Sequence, residues 1–242
     1  MIRIRRDQEI HSEDGGWFHA RWHFSFSDYR DPDNNGLGPL RVFNDDRLEP
    51  GAVWPLHPHK DVEGITYVVE GLFRHEDSLG NDGVLEPGAV QRMTLGSGAF
   101  HSEQNASEDE PMRFIQLWIL PNEGGLPPEN EQRQYTQDDR TDRLLKVLGP
   151  EGGDVVKVHQ DAAMYVARLT PGKQVAHKFQ DDRGGYVYLL SGEASFDGEE
   201  VTTGDAAYVI DEDELVINAR DTSELILVDV PLDYEPVGVW AR

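Results

Sequence analysis

Short apolar runs broken by glycine and proline set the pattern of this chain. Ile65-Thr-Tyr-Val-Val69, Phe114-Ile-Gln-Leu-Trp-Ile-Leu120, Gly185-Tyr-Val-Tyr-Leu-Leu190 and Leu225-Ile-Leu-Val-Asp-Val230 are the clearest examples. They are rich in β-branched and aromatic residues and are flanked by turn formers, which predicts strands. Asp82-Gly83 and Asp197-Gly198 predict tight hairpin turns. No long stretch carries helical periodicity. The polar stretch 122–153 holds Pro127-Pro128 and a Gly-Pro-Glu-Gly-Gly run at 149–153. It reads as an inter-domain connection, with at most one short helix over 139–148.

The two halves match when overlaid. Pro50-Gly51 and Pro171-Gly172 lie 121 residues apart, and so do Tyr67-Val-Val-Glu-Gly71 and Tyr188-Leu-Leu-Ser-Gly192. Pro87-Gly88-Ala89 is followed in the second half by Thr203-Gly204-Asp205, and each half closes on an apolar strand and a proline, Pro121 and Pro231. Ordered matches at near-constant spacing argue for duplication. Each half has the size of a small antiparallel barrel or jelly roll, a class that closes its sheet edges. The expected class is therefore all-β, with two tandem barrels.

Composition narrows the chemistry. The 22 Lys plus Arg against 46 Asp plus Glu give a net charge of −24. Such a chain has no counterion-release drive toward a phosphate backbone and is repelled by anionic membranes, so direct nucleic-acid and membrane partners are excluded. With 38% apolar residues it still builds a sizeable core. The acid excess reads either as salt adaptation or as a well-solvated surface. There is no apolar segment of signal-peptide or membrane-span type, so the expectation is a soluble cytoplasmic protein. Cysteine is absent. That removes disulfides, thiolate nucleophiles and Cys-based metal sites, and leaves histidine and carboxylate as the available ligands.

His57-Pro58-His59 is an i, i+2 pair, and extended backbone points both imidazoles to one face. His101-Ser102-Glu103 repeats the geometry with an imidazole and a carboxylate. Facing each other inside a barrel, the two segments present three nitrogens and one oxygen. That set suits a first-row divalent ion with positions left open for substrate or oxygen. Taken alone, a His-x-His pair is more often two hydrogen-bonded surface histidines. The context decides otherwise. Gly51-x5-His57-x-His59-x3-Glu63 with Gly71, and Gly98-x2-His101-x3-Asn105, resemble the two motifs of the cupin superfamily.

A narrower resemblance follows. Phe24-Ser-Phe-Ser-Asp-Tyr-Arg-Asp-Pro32, Gly38-Pro-Leu-Arg-Val-Phe-Asn-Asp-Asp46, His57-Pro-His-Lys-Asp-Val-Glu63, His75-Glu-Asp-Ser78, Gly96-Ser-Gly-Ala-Phe-His-Ser-Glu103 and Gln116-Leu-Trp-Ile-Leu-Pro121 resemble the pirin family. The likeness is dense over 17–135 and fainter beyond. It implies a bicupin: an N-terminal metal-binding cupin over 1–125, a connection over 126–153, and a C-terminal cupin without metal ligands over 154–242. It assigns His57, His59, His101 and Glu103 as ligands. It favours Fe(II), although the ligand types also permit Mn, Ni, Co, Cu or Zn. The activity it implies is quercetin 2,3-dioxygenase-type cleavage of a polyphenol with O2, Glu103 doubling as the base. Ligation lowers carboxylate basicity, so that role needs an apolar surrounding or a movable Glu103. The alternative it implies is a metal- or redox-sensing regulator acting through protein contacts; a cupin isomerase is a third reading.

Glu63 sits where other cupins place a ligand, yet seven residues rather than six separate it from Gly71. It is expected to be structural or to support a ligand. In the second half, the 121 offset sets Lys178 and Gln180 against His57 and His59. An offset of 116, from Gly88 and Gly204, sets Ile217 and Ala219 against His101 and Glu103. His177 then falls one residue from a ligand position. His23 and His75 either line the cavity or hydrogen-bond structurally, while His11, His19 and His159 read as surface or capping residues. Trp54, close to the histidine pair, is the tryptophan best placed for an aromatic substrate, with core packing as its plainer role.

Overall fold

A computed structural model describes residues 1–241. The molecule is all-β, as expected. Its only helical pieces among those residues are three single 3-10 turns, Asp7–Glu9, Asp138–Arg140 and Gly238–Trp240. None is long and apolar enough to cross a membrane.

The first twelve strands are β1 (Ile2–Arg5), β2 (His11–Asp14), β3 (Phe18–Trp22), β4 (Leu40–Leu48), β5 (Val53–His59) and β6 (Glu63–Glu70), then β7 (Phe73–Asp77), β8 (Asp82–Leu85), β9 (Ala89–Thr94), β10 (Ala99–Asn105), β11 (Met112–Ile119) and β12 (Glu129–Gln134). The other ten are β13 (Leu145–Gly149), β14 (Val156–Lys157), β15 (Ala163–Leu169), β16 (Gln174–Lys178) and β17 (Arg183–Ser191), then β18 (Glu193–Phe196), β19 (Glu199–Thr202), β20 (Ala206–Ile210), β21 (Glu214–Ala219) and β22 (Ser223–Pro231). Each half pairs a seven-stranded sheet with a four-stranded one. The orders are β12-β9-β6-β11-β4-β3-β2 with β5-β10-β7-β8, and β1-β20-β17-β22-β15-β13-β14 with β16-β21-β18-β19. Strand for strand the orders correspond, and Gly51, Gly71 and Gly88 share positive φ with Gly172, Gly192 and Gly204. Those conformations suit glycine, which explains why the repeat is most visible there.

The corresponding outer strands are exchanged. β1, from the start of the chain, pairs with β20 of the second half. β12 pairs with β9 of the first. The stretch 126–153 is therefore no bare connection. It supplies β12 to one sheet and β13 to the other, and in place of the expected helix over 139–148 it holds one 3-10 turn and that strand. Asp197 and Gly198 form the predicted two-residue turn, with φ of 46° and 87°. Asp82 and Gly83 do not turn. They pair within β8, opposite Glu76 and His75, and the hairpin bends one step earlier.

The two large sheets pack against each other through Phe43, Ile65, Tyr67, Ile115 and Leu117 on one side and Met164, Val166, Tyr186, Tyr188 and Ile226 on the other. Burying these large side chains supplies the main drive for joining the halves, at roughly 1.5–3 kcal/mol each. Polar groups lock the joint. Arg113 grips the Asp45 carboxylate, which also accepts a hydrogen bond from the Tyr188 hydroxyl at 2.6 Å.

Candidate metal centre

β5 and β10 pair antiparallel, with His101 opposite His57 and Ala99 opposite His59. Alternation along β5 sends His57 and His59 inward, and alternation along β10 sends His101 and Glu103 inward. The register slips by one between His101 and Glu103, so that Glu103 faces Trp54. Pro55 and Pro58 lack an N–H, which an edge strand such as β5 tolerates.

The three imidazoles converge. One nitrogen from each of His57, His59 and His101 lies within 4.8 Å of the others. His57 Nδ1 is 2.8 Å from the Pro55 carbonyl, which fixes the ring and leaves Nε2 to face the centre. His101 Nδ1 is 3.3 Å from Glu103 Oε1. His101 Nε2 and Glu103 Oε2 are buried with no hydrogen-bond partner. Two orphaned polar atoms on neighbouring side chains are costly unless something completes them. A divalent cation accepting nitrogen and oxygen donors fits them.

Burial tunes the groups for that task. It holds His59 down at about 4, helped by the neighbouring His57, and His101 lower still, so these two rings are neutral and free to donate. It pushes the Glu103 carboxyl up to about 8. Behind His101, His75 packs at 5.8 Å between ring centres and bonds Asp77 Oδ2 at 3.1 Å. In front, a cavity of about 110 Å³ is walled by Phe26, Trp54, Phe114 and Trp118, with Asn44, Asp46 and Gln116 as its other polar groups. Trp118 sits edge-on to His59 at 4.5 Å. Burial, then the charges of Asp45 and Glu103, raise the Asp46 carboxyl well above the usual carboxylate range.

The family pattern described as Pirin matches residues 3–119, and one described as Quercetinase C-terminal cupin domain matches 147–230. A pirin-like protein of Caulobacter vibrioides is 36% identical over 231 residues, covering 95% of this chain and 99% of that protein. The chain belongs to the pirin family. A quercetin 2,3-dioxygenase of Escherichia coli K12 is 38% identical over 233 residues, 96% of this pirin and 99% of that enzyme. The bacterial pirin YhhW of Escherichia coli, solved in complex with nickel(II), superposes with a TM-score of 0.90 at 36% identity, covering 98% of this chain and 100% of that one.

Other histidines of this pirin have structural work. His23 is fully buried at the joint between the halves, 2.8 Å from the Tyr186 hydroxyl and remote from the triad's lining. His11 stacks on Tyr29. His159 is more than a surface residue. Its backbone N–H donates to Glu63 Oε2 at 2.7 Å, and its ring meets Oε1 at 2.8 Å. Glu63 also takes the Thr94 hydroxyl and faces the fully buried Arg92. It is a latch between the halves and touches none of the three histidines.

Asn44, Asp46 and Gln116 escaped the sequence reading as cavity residues. The available signal was the polar triplet Asn44-Asp45-Asp46 directly after the apolar Val42-Phe43 in β4. Alternation turns Asp45 to the joint and its neighbours into the barrel.

Proposed function

We propose that this pirin is a metal-dependent dioxygenase that opens the central ring of a flavonol with O2. The observation that carries the reading is the convergence of three imidazoles, with the buried Glu103 carboxylate against His101, beside an aromatic-walled cavity. His57, His59, His101 and Glu103 would hold one divalent ion. When bound, that ion supplies a Lewis acid that lowers the pKa of a chelating hydroxyl and brings substrate and O2 together. Fe(II) is the ion proposed. The relatives named quercetin 2,3-dioxygenase support the substrate class.

The chain's own residues do the rest. Trp54, Phe26, Phe114 and Trp118 take up a flat polyphenol and exclude water. Gln116 and Asn44, whose Oδ1 is buried without a partner, orient its oxygens. Asp46, buried beside them, adds a further polar contact. Glu103 accepts the 3-hydroxyl proton. Its apolar surroundings meet the condition that a ligating base requires. Both atoms of O2 enter the ring-opened ester and carbon monoxide leaves.

The test is to measure bound metal, then incubate the protein aerobically with quercetin while following flavonol loss and carbon monoxide. Activity should disappear in His57→Ala and Glu103→Ala. A fully metal-loaded protein that turns over no flavonol would overturn the reading.

A further inference from the structure

The cavity above the triad adjoins a larger outer chamber of about 560 Å³. The two share Phe26, Trp54 and Trp118. Trp240, Arg30 and Arg41 complete the outer wall. Trp240 is brought there by the end of the chain, where the Val239 N–H donates to Asp61 Oδ2 at 3.1 Å. Two adjoining spaces thus form a passage from the imidazoles, past three tryptophans that line or divide them, to two guanidinium groups.

These two arginines belong to a minority in the molecule. Acidic groups outnumber basic ones 46 to 22, and most arginines are paired with carboxylates. Among the described residues Arg30 and Arg41 enter no ion pair. Arg30 donates to the Ser27 carbonyl and, at 2.9 Å, to that of Tyr29. Asp31, next to it in sequence, is occupied by the Tyr29 hydroxyl at 3.0 Å and Asn34 Nδ2 at 2.8 Å. Arg41, half-buried near the start of β4, donates no hydrogen bond among the described residues. A planar guanidinium with free N–H groups beside aromatic faces matches a carboxylate or a sulfate on an aromatic body.

We propose that the outer chamber is a subsite for an anionic substituent, a carboxylate or sulfate, at the end of an aromatic substrate remote from the triad. Arg41 is its principal contact and Arg30 the second. The inference rests on the dioxygenase reading for the flavonol body and on the chamber alone for the anion. The −24 charge repels anions at a distance. The arginine pair reverses that locally, so the substrate selected is a flavonol already conjugated to an acidic group.

Tryptophan fluorescence tests this, because three indoles line the passage. The metal-loaded protein is titrated without oxygen with quercetin and quercetin 3′-sulfate, and separately with 2-naphthol and naphthalene-2-sulfonate. The sulfur-bearing member of each pair should bind about tenfold tighter, the scale of a charge-assisted hydrogen bond. Arg41→Gln should remove most of that preference, and Arg30→Gln about half of it, with neutral ligands held within about twofold. Should Arg41→Gln fold poorly, the wild-type preference must still shrink as salt rises from about 0.05 M to about 0.5 M. Equal affinities in the wild type, or a preference that survives the double variant, would overturn the proposal. An arginine-dependent naphthalenesulfonate preference with no flavonol binding would uphold the anion subsite and sink the flavonol body. Flavonol turnover with no charge preference would do the reverse.

Discussion

The two barrels share a topology and differ in what fills them. Matched backbone hydrogen bonds fix the alignment: the Asn105 N–H donates to the Ala52 carbonyl where the Ala219 N–H donates to that of Lys173. Glu103 pairs with His75 where Ile217 pairs with Phe196. On this register His101, Glu103 and Gln116 become Leu215, Ile217 and Leu227, and Asp46 becomes Ala167. All four replacements belong to one dry apolar cluster. In the first barrel the apolar cluster of Leu48, Phe73, Met112 and Phe114 fills only part of the interior. The sheet hydrogen bonds and glycine turns carry the shape. A handful of inward side chains decide whether that shape holds a reactive cavity or a hydrocarbon core.

The register also corrects the ligand count in the second barrel. The segment leading to β21 is two residues shorter than its counterpart, so the offset falls from 116 to 114 and Leu215, not Ile217, stands for His101. The slip on β5 absorbs one residue. His177, opposite Leu215, is thus the counterpart of His57 and not its neighbour. Phe179 replaces His59, and it meets His177 edge-on at 4.7 Å as His59 meets His57 at 4.8 Å. The one remaining imidazole is engaged by Asp229 at 2.8 Å.

That comparison can be broken at several points. The largest effect should come from His101→Ala, which should reduce bound metal, measured by elemental analysis, to a small fraction of wild type. His177→Ala should leave the metal untouched. Next, Ile217→Glu should destabilise the protein by about 3–5 kcal/mol in urea, because a carboxylate would enter a dry core without a partner. Its mirror image, Glu103→Ile, should stabilise the metal-free protein by about 1–2 kcal/mol, since an orphaned polar atom is removed. Glu63→Gln should cost about 2–3 kcal/mol through the loss of a buried charged acceptor, with metal content unchanged. A fall in metal would instead place Glu63 at the ion. The smallest effect is His177→Phe, about 1 kcal/mol, because Asp229 keeps Arg183 at 2.6 Å.

Much of this was legible before the fold was seen. The four ligand candidates share two short strands, where period-two alternation is dependable, and the structure sets three of them around one point. The duplication was legible because glycines at positive φ survive when side chains do not. The fate of β12 and β13 was hidden, since β12 is polar and pairs with β9 some forty residues back, and β13 is short and lies in a stretch rich in turn residues. The latch role of Glu63 was hidden for the same reason: its partner His159 is 96 residues away. Lining residues such as Asn44 and Asp46 needed the register of β4 against β11.

The exchange of β1 and β12 bears on how the protein comes to exist. During synthesis the first strand leaves the ribosome long before its partner Val209 is made. It must wait, unpaired, while the metal-binding barrel gathers beside it. A protease cut near residue 126 would therefore not release two intact halves. It would strip β12 from the barrel that binds the ion, while β1 stayed laced into the other. Backbone bonding makes the two barrels inseparable, so each now vouches for the completeness of its twin.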